Sequence, residues 1–524
     1  MKILVSDPLS FEGIEALQKE ADVDVITKLS EDELIEIIGN YDGLVVRSGT
    51  QVTERIIEHA HKLKVIGRAG VGVDNIDLDA ATRRGIVVLN APEGNTVAAA
   101  EHTIAMMMSL ARNIPAANAS LKAGEWRRND FMGIEIRDKI IGIIGIGKIG
   151  TEVARRAIGL GMKVLGYDPF ITPERAKSLG VELVELPELY KRSDFITVHT
   201  PLTKESRSMI SAKEFAIMKD GVRIINCARG GIINEQDLYD ALVSGKIAGA
   251  ALDVFVEEPP KNNPLLTLDN VIVTPHLGAS TKEAQVNVAV EAAEGVIQVL
   301  KGAIVTNAVN IPTLPAEVLA VIEPYLPLAE KLGKFMAQIF EGQVRSIKLL
   351  YSGIISKQEV GPLTNAVLKG FLRPSMQDAV NAVNAPIIAK ERGIKVTESK
   401  VSEEEDFASL ITICVYTDKG EYTAAGTLFG RKDPRIVKIN GYRVDAFPSE
   451  HMLVVMHTDR PGIIGRVGML LGKENINIAG MQVGREEVGG EAIMVMEVDS
   501  SVPDRILEEI EQIDGIKKVD QINL

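Results

Sequence analysis

Three side chains in this sequence have the types needed for a redox reaction on a hydroxy acid. Arg229, in "NCARGG", offers a planar fork that can hold a carboxylate by two hydrogen bonds. His276, in "TPHLGA", belongs to the residue type that exchanges a proton with an alcohol near neutral pH. Glu258, in "DVFVEEPP", can orient His276 and stabilise its cation if the fold brings the two together. Taken singly, each has a plainer reading: a surface ion pair, a loop histidine, a solvated loop carboxylate. Upstream, "GIGKIG" places Gly145, Gly147 and Gly150 in the G-x-G-x-x-G pattern, between an apolar strand and the helical run "TEVARRAIGLGM". Such glycines allow a tight turn and a close approach of backbone to pyrophosphate, which rests on the helix N-terminus. The next strand ends in "GYDP", with Asp168 eighteen residues beyond Gly150. That is the place of the acidic residue that binds the adenosine ribose and favours NAD over NADP.

Positioning these groups requires parallel sheets. From residue 1 to about 310, β-branched runs alternate with helical patterns. One set comprises "KILVSD", "GLVVRS", "VIGRAG" and "IVVLNAP". A second begins at "IIGIIG" and continues through "KVLGYD", "FITVHTP", "RIINCARG", "AALDVF" and "VIVTPHLG". The fold class is therefore α/β, with two doubly wound domains of Rossmann-like or flavodoxin-like type. The fingerprint comes late because a first α/β unit precedes it. Residues 98–120 read as one long apolar helix between the units, its Met106–Met108 run being core packing. Ligands of open α/β sheets sit at the carboxyl ends of strands. Here these ends are Arg47 and Ser48, Gly70, Asn90, Asp168, His199 and Thr200, Cys227 to Arg229, Asp253, and Thr274 to His276. Past "NAVNIP" the pattern changes to a proline-broken helix and then strands. From His451, a βαββαβ order gives a ferredoxin-like module.

The 524 residues suggest ~3–4 domains. A net charge of −14, from 58 basic and 72 acidic residues, argues against general affinity for nucleic acid or anionic membrane. The two cysteines, Cys227 and Cys414, cannot form a disulfide framework. "MKILVSDPLS" has no apolar signal region, so a cytoplasmic protein is expected. No H-E-x-x-H or paired C-x-x-C occurs, and His59 and His61 point to different helix faces, so no metal site is expected. His102 and His199 read as packing or hydrogen-bonding residues. A basic run, "GRKDPRIVKINGYR", gathers Arg431, Lys432, Arg435, Lys438 and Arg443, as an anion site or a solvated face.

In order along the chain, "VVRSGT", "GRAGVGVDNID", "NAPEGNT", "GIGKIG", "GYDP", "HTPLT", "NCARGG", "GAALDVFVEEP" and "VTPHLGAST" resemble the signature set of the D-isomer-specific 2-hydroxyacid dehydrogenases. "HTDRPGIIGRVGMLLGKENINIAG" is similar to an ACT regulatory domain, and an extra module of about 130 residues precedes it, as in the long form of one branch of the family. The resemblance implies Arg229, Glu258 and His276 as the catalytic trio, with His276 the general acid/base. It implies an NAD site of Val71, Gly145, Gly147, Lys148, Ile149, Gly150, Asp168, Thr200, Cys227, Ala228, Asp253, Gly278 and Ala279, bordered by Arg229 and His276. Val71 stands where relatives often carry Thr, so a side-chain hydrogen bond is lost there. Arg47, Ser48, Gly49, Asn95 and Arg128 would meet the substrate, and Trp126 with Arg128 would reach toward a partner subunit. His457, Asp459 and Asn477 would contact an L-serine effector, although Asp459 replaces the Asn of some serine-inhibited relatives. The implied division is a discontinuous substrate domain (1–97 and 283–310), an NAD domain (98–282), an intervening domain (315–447) and an ACT domain (451–524). The implied reaction is NAD-linked oxidation of 3-phosphoglycerate at the entry to serine synthesis, in a homotetramer. Another D-2-hydroxy acid, or an NAD-sensing role without catalysis, is the alternative.

Overall fold

The computed structural model describes residues 1–312, 314–376, 379–401, 407–430 and 432–524, so Arg431 of the basic run lies outside the described residues. The first sheet contains β1 (Lys2–Val5), β2 (Asp22–Val25), β3 (Gly43–Val46), β4 (Val65–Arg68) and β5 (Val87–Leu89), all parallel, in the order β2-β1-β3-β4-β5. That is the flavodoxin-like winding. Helix Lys282–Leu300 returns to this sheet, and Ala293 and Val296 share a core with Ile3, Val5, Val45, Val65 and Leu89. It lies close against helix Phe11–Gln18, where a Cβ on Gly13 would stand 2.6 Å from Ala289 Cβ.

The second sheet contains β6 (Ile140–Ile144), β7 (Lys163–Tyr167), β8 (Glu182–Leu183), β9 (Phe195–Val198), β10 (Val222–Asn226), β11 (Ile247–Leu252) and β12 (Val271–Val273). Its order, β12-β11-β10-β9-β6-β7-β8, is entirely parallel and reverses direction between β6 and β9. A reversal of this kind opens a crevice beyond the strand ends. Strands such as β9, buried at every residue, are predominantly apolar because helices cover both faces.

The apolar stretch expected as one helix over 98–120 is two, Thr96–Ala111 and Ile114–Lys122. Asn113 turns left-handed at φ 53°. Pro115, with no N–H, would crowd the Ala111 carbonyl in a continuous helix. That carbonyl accepts instead from Ile134 N at 2.9 Å.

The back of the chain holds two more sheets. β13 (Val344–Gly353), β14 (Lys395–Val401), β15 (Ser409–Thr417), β16 (Glu421–Phe429), β17 (Asp433–Ile439) and β18 (Tyr442–Ala446) run β14-β13-β15-β16-β17-β18, antiparallel except at β13/β14. β19 (His451–Thr458), β20 (Ile478–Arg485), β21 (Glu491–Val498) and β22 (Ile516–Asn523) run β20-β21-β19-β22 with helices Ile463–Lys473 and Asp504–Glu511, a ferredoxin-like plan. These modules are not independent. Met452, Val454, Ile493, Val495 and Ile522 of the last sheet join one core with Leu332, Phe335, Tyr351 and Ile413 of the preceding module.

Helices Leu326–Ile339 and Gly361–Met376 cross through reciprocal glycines. A Cβ on Gly333 would lie 2.1 Å from Val367 O, and one on Gly370 would lie 2.0 Å from Glu330 O. Each neighbour is backbone and can yield only by separating the helices. Gly333→Ala and Gly370→Ala should each destabilise this module by ~1–3 kcal/mol or more. Chemical denaturation followed by circular dichroism checks this; unshifted midpoints would show that the crossing has slack.

Candidate active site

The fingerprint turn follows β6, on one side of the crevice. Gly145 has φ 94°, and a Cβ there would sit 2.6 Å from the His199 carbonyl at the end of β9. A Cβ on Gly150 would meet Gly145 O at 2.0 Å, whereas Gly147 faces open space where backbone can approach a ligand. Asp168 follows β7, and its two carboxylate oxygens accept from Ile146 N and Phe170 N, each at 2.8 Å. Lys148 reaches across to Glu93 Oε1 at 2.8 Å. A cavity of about 630 Å³ runs beside these residues, between Lys148, Asp168 and Phe170.

A second cavity of about 460 Å³ continues between the two parallel-sheet units. It brings together Val71, Asn95, Ile149, Thr200, Cys227, Ala228, Arg229, His276, Gly278 and Ala279 of the residues expected from sequence. Thr200 Oγ1 and Asn95 Oδ1 are buried and lack a partner among the described residues. Buried polar atoms usually have one. With the open Gly147 turn and the Asp168 carboxylate, these atoms fit a dinucleotide: glycine backbone for pyrophosphate, the carboxylate for ribose, hydroxyl and amide for the nicotinamide end. Burial, and then Asp253, push the Cys227 thiol up to about 12, so it stays protonated and acts as lining.

His276 Nδ1 lies 2.7 Å from Glu258 Oε2, while Glu258 Oε1 accepts from Phe255 N at 3.1 Å. The fold thus brings together two side chains eighteen residues apart. The contact assigns the proton to Nδ1 and leaves Nε2 able to accept one. Arg229 follows β10, donates to Ala228 O at 2.7 Å and stretches to Asp74 at 3.5 Å, spanning from one unit to the other. Gly72 makes room for it: a Cβ there would stand 2.2 Å from Arg229 Nη2.

Arg68, at the end of β4, was not among the sequence candidates. It is half-buried, its Nε has no partner among the described residues, and Arg229, Arg47, Asp74 and Asp7 surround it. Burial, reinforced by Arg229, lowers its pKa. The available signal was its place at a strand end, in "VIGRAG". Arg47 is fixed at its backbone, where its N donates to Asp7 Oδ2 at 2.6 Å, and Ser48 and Gly49 beside it are exposed.

Two expected groups lie elsewhere. Asp253 is fully buried and does not line the cavity; it accepts from Leu277 N at 2.7 Å and Gly278 N at 2.8 Å. Arg128 and Trp126 border a separate groove with Leu121 and Phe131, and Trp126 is 80% exposed. In the last module, His457 is 2% exposed, and its Nε2 has no partner among the described residues. Asp459 pairs with Arg485 at 2.6 Å, and this bond holds its carboxyl below the usual range. Asn477 donates to Asp499 Oδ2 at 2.9 Å. Among the described residues no helix is long and apolar enough to cross a membrane, and no cluster of His, Cys, Asp or Glu could hold a metal ion.

Residues 104–278 match the NAD binding domain model of the D-isomer specific 2-hydroxyacid dehydrogenases, so this is an NAD-dependent enzyme of that class. Residues 321–440 match the D-3-phosphoglycerate dehydrogenase intervening domain, and 451–515 an ACT domain. The chain is 50% identical to D-3-phosphoglycerate dehydrogenase of Methanocaldococcus jannaschii, covering all of both chains. It is 46% identical to that of Bacillus subtilis, covering 100% of this chain and 99% of the other. A D-lactate dehydrogenase from Aquifex aeolicus, solved with NAD and lactic acid, matches with TM-score 0.53 and 31% identity over 60% of this chain and 100% of its own. The chain belongs to the D-3-phosphoglycerate dehydrogenase family.

His199 sets a pH dependence. Burial pushes its pKa from 6.5 down to about 4, and Thr197 Oγ1 lies 3.0 Å from its Nε2. Between those values the unfolded chain binds a proton that the folded chain refuses, so stability falls as pH drops through the window. The loss is up to roughly 3 kcal/mol, fully developed only below the folded value. Urea midpoints of wild type and His199→Asn at pH 7 and pH 4.5 test this. The wild type should lose more across the interval, and equal losses would show that His199 titrates freely in the folded protein.

Proposed function

We propose that the enzyme oxidises the C2 hydroxyl of 3-phospho-D-glycerate to 3-phosphohydroxypyruvate, opening the phosphorylated route to L-serine. The supporting observation is a cleft with a His276–Glu258 pair on one wall, Arg229 spanning it, and Arg68 and Arg47 beyond. A substrate with a carboxylate at one end and a phosphate at the other matches that charge distribution. Arg229 binds the carboxylate and polarises the oxygen on C2. His276 Nε2 takes the hydroxyl proton, while Glu258 keeps the opposite nitrogen protonated and steadies the cation that forms. NAD, when bound, supplies the hydride acceptor. Arg68, with Arg47, meets the phosphate.

In this reading, residues 1–97 and 283–310 form the substrate domain and 98–282 the NAD domain. Residues 315–447 form the intervening domain and 451–524 a regulatory one that binds L-serine through His457, Asp459 and Asn477. The buried, unpartnered His457 Nε2 supports a ligand there. Exposed Trp126, Leu121 and Met132 beside Arg128 support pairing with a second subunit on the way to a homotetramer.

NADH formation with 3-phosphoglycerate, compared with D-glycerate, tests the substrate; equal kcat/KM for the two would sink the phosphate assignment. His276→Ala should lower kcat by ~10²–10⁴-fold with little change in KM. Arg68→Gln should raise KM for 3-phosphoglycerate by ~10–100-fold and leave that for D-glycerate within a few-fold, as expected for losing hydrogen bonds to a charged group.

A further inference from the structure

We propose that His102 is a positioning residue for the proton-transfer step, acting through Asp253 on the turn that carries His276. The inference rests on the assignment of His276 as the acid/base. His102 stands in helix Thr96–Ala111, which begins next to Asn95 at the cleft. Its Nε2 lies 3.1 Å from Thr274 Oγ1, to which its N–H donates, and 3.2 Å from Asp253 Oδ1, within ion-pair reach of the carboxylate. Thr274 Oγ1 in turn donates to Asp253 Oδ1 at 2.5 Å. The carboxylate therefore collects donors from two directions: His102 and Thr274 on one side, and Leu277 N and Gly278 N on the other.

The second pair of donors flanks His276 directly. His276 N donates to Asp253 O at 3.0 Å, and the residue is held at φ 54°, a left-handed conformation that costs a non-glycine residue energy. Such a conformation persists only where its surroundings fix it. Burial by itself would raise the pKa of Asp253; hydrogen bonds from His102, Thr274 and Leu277 N outweigh it and hold the group ionised. The charge on Asp253 is what binds the two backbone N–H groups strongly. Removing His102 takes a donor from a fully buried carboxylate and loosens its grip on the turn. The imidazole of His276 then loses its alignment with the substrate hydroxyl, whereas the arginines that bind substrate keep theirs. His102 touches neither substrate nor reacting atoms in this scheme.

The test compares wild type, His102→Leu, His102→Gln and His276→Ala in the full chain, with folding checked by circular dichroism and melting temperature. His102→Leu should lower kcat about 10–100-fold with KM for 3-phosphoglycerate within about three-fold. His102→Gln, which keeps a donor of similar reach, should recover most of the lost turnover. A merely structural role would reduce active fraction or melting temperature without that split or that recovery. If His276→Ala abolishes turnover while folded His102→Leu matches wild type, the positioning role is wrong and the acid/base assignment stands. If His276→Ala itself turns over normally, the assignment beneath it fails. If His102→Leu does not fold, the inference is decided by His102→Gln against His102→Asn, whose shorter side chain should lose turnover that Gln retains; equal turnover in both would overturn it.

Discussion

A carboxylate sealed inside a protein must be surrounded by donors, and the donors Asp253 finds determine the shape of the catalytic edge. Asp253 follows β11 with no exposed surface. Leaving such a charge short of partners costs several kcal/mol, about as much as a small domain can spare. The chain beyond β12 is therefore bent back so that Leu277 N and Gly278 N can reach it. That bend puts His276 into the left-handed region, and its side chain meets Glu258. The left-handed backbone at His276 and the His–Glu contact are two consequences of one electrostatic demand. A bulkier residue at Gly278 would press on the same oxygen, since a Cβ there stands 3.2 Å from Asp253 Oδ2.

The other wall of the cleft depends on repulsion rather than attraction. Around Arg68, the charges of Arg47 and Arg229 are opposed by those of Asp74 and Asp7. Three guanidinium groups in a partly dehydrated space are a poor arrangement for an isolated protein and a good one for a doubly anionic ligand. Glycines make the crowding possible. Gly70 and Gly72 leave room for the Arg68 and Arg229 side chains, whose terminal nitrogens would lie 1.8 and 2.2 Å from any Cβ there. The turn between β4 and the helix Leu78–Arg83 is thus shaped by one arginine at its own start, Arg68, and by a second, Arg229, from the other unit.

This division explains what was legible in the sequence. Buried parallel strands reveal themselves as apolar runs, and the fingerprint with Asp168 has a fixed local spacing, so the inner strands of both sheets and the nucleotide turn were readable, while the polar edge strands β2 and β8 were not. The ordered motifs pointed to Arg229, Glu258 and His276, but their approach is a product of the sheet order, which spacing does not encode. Arg68 was missed because its one local signal, a place at a strand end in "VIGRAG", is shared with many residues; burial beside two other arginines singles it out. Asp253 carries, beyond the cofactor contact that the resemblance implies, hydrogen bonds to the turn after His276, which its place at a strand end does not encode. The break at Asn113 was visible in Pro115, yet the apolar periodicity across 98–120 outweighed it. Nothing local to the back modules announced that they share a core.

That shared core changes what the C-terminal third can do. A four-stranded sheet with helices on one face must cover the other, and here Leu332 and Phe335 of the preceding module do so. Gln338 adds two hydrogen bonds to the backbone of Asn523, so the last strand and helix Leu326–Ile339 are tied at both side chain and main chain. The pair of modules meets the front of the molecule through Asn381 and Asn384, which donate to the carbonyls of Gly85 and Arg83. Those carbonyls lie at and just beyond the C-terminal end of helix Leu78–Arg83, and the chain entering that helix carries Asp74, the partner of Arg229. Side-chain hydrogen bonds to helix-end carbonyls are specific in direction but individually small. The back modules thus share one core and touch the substrate-binding unit through directed side-chain hydrogen bonds, at a point one short helix away from the arginine that spans the cleft.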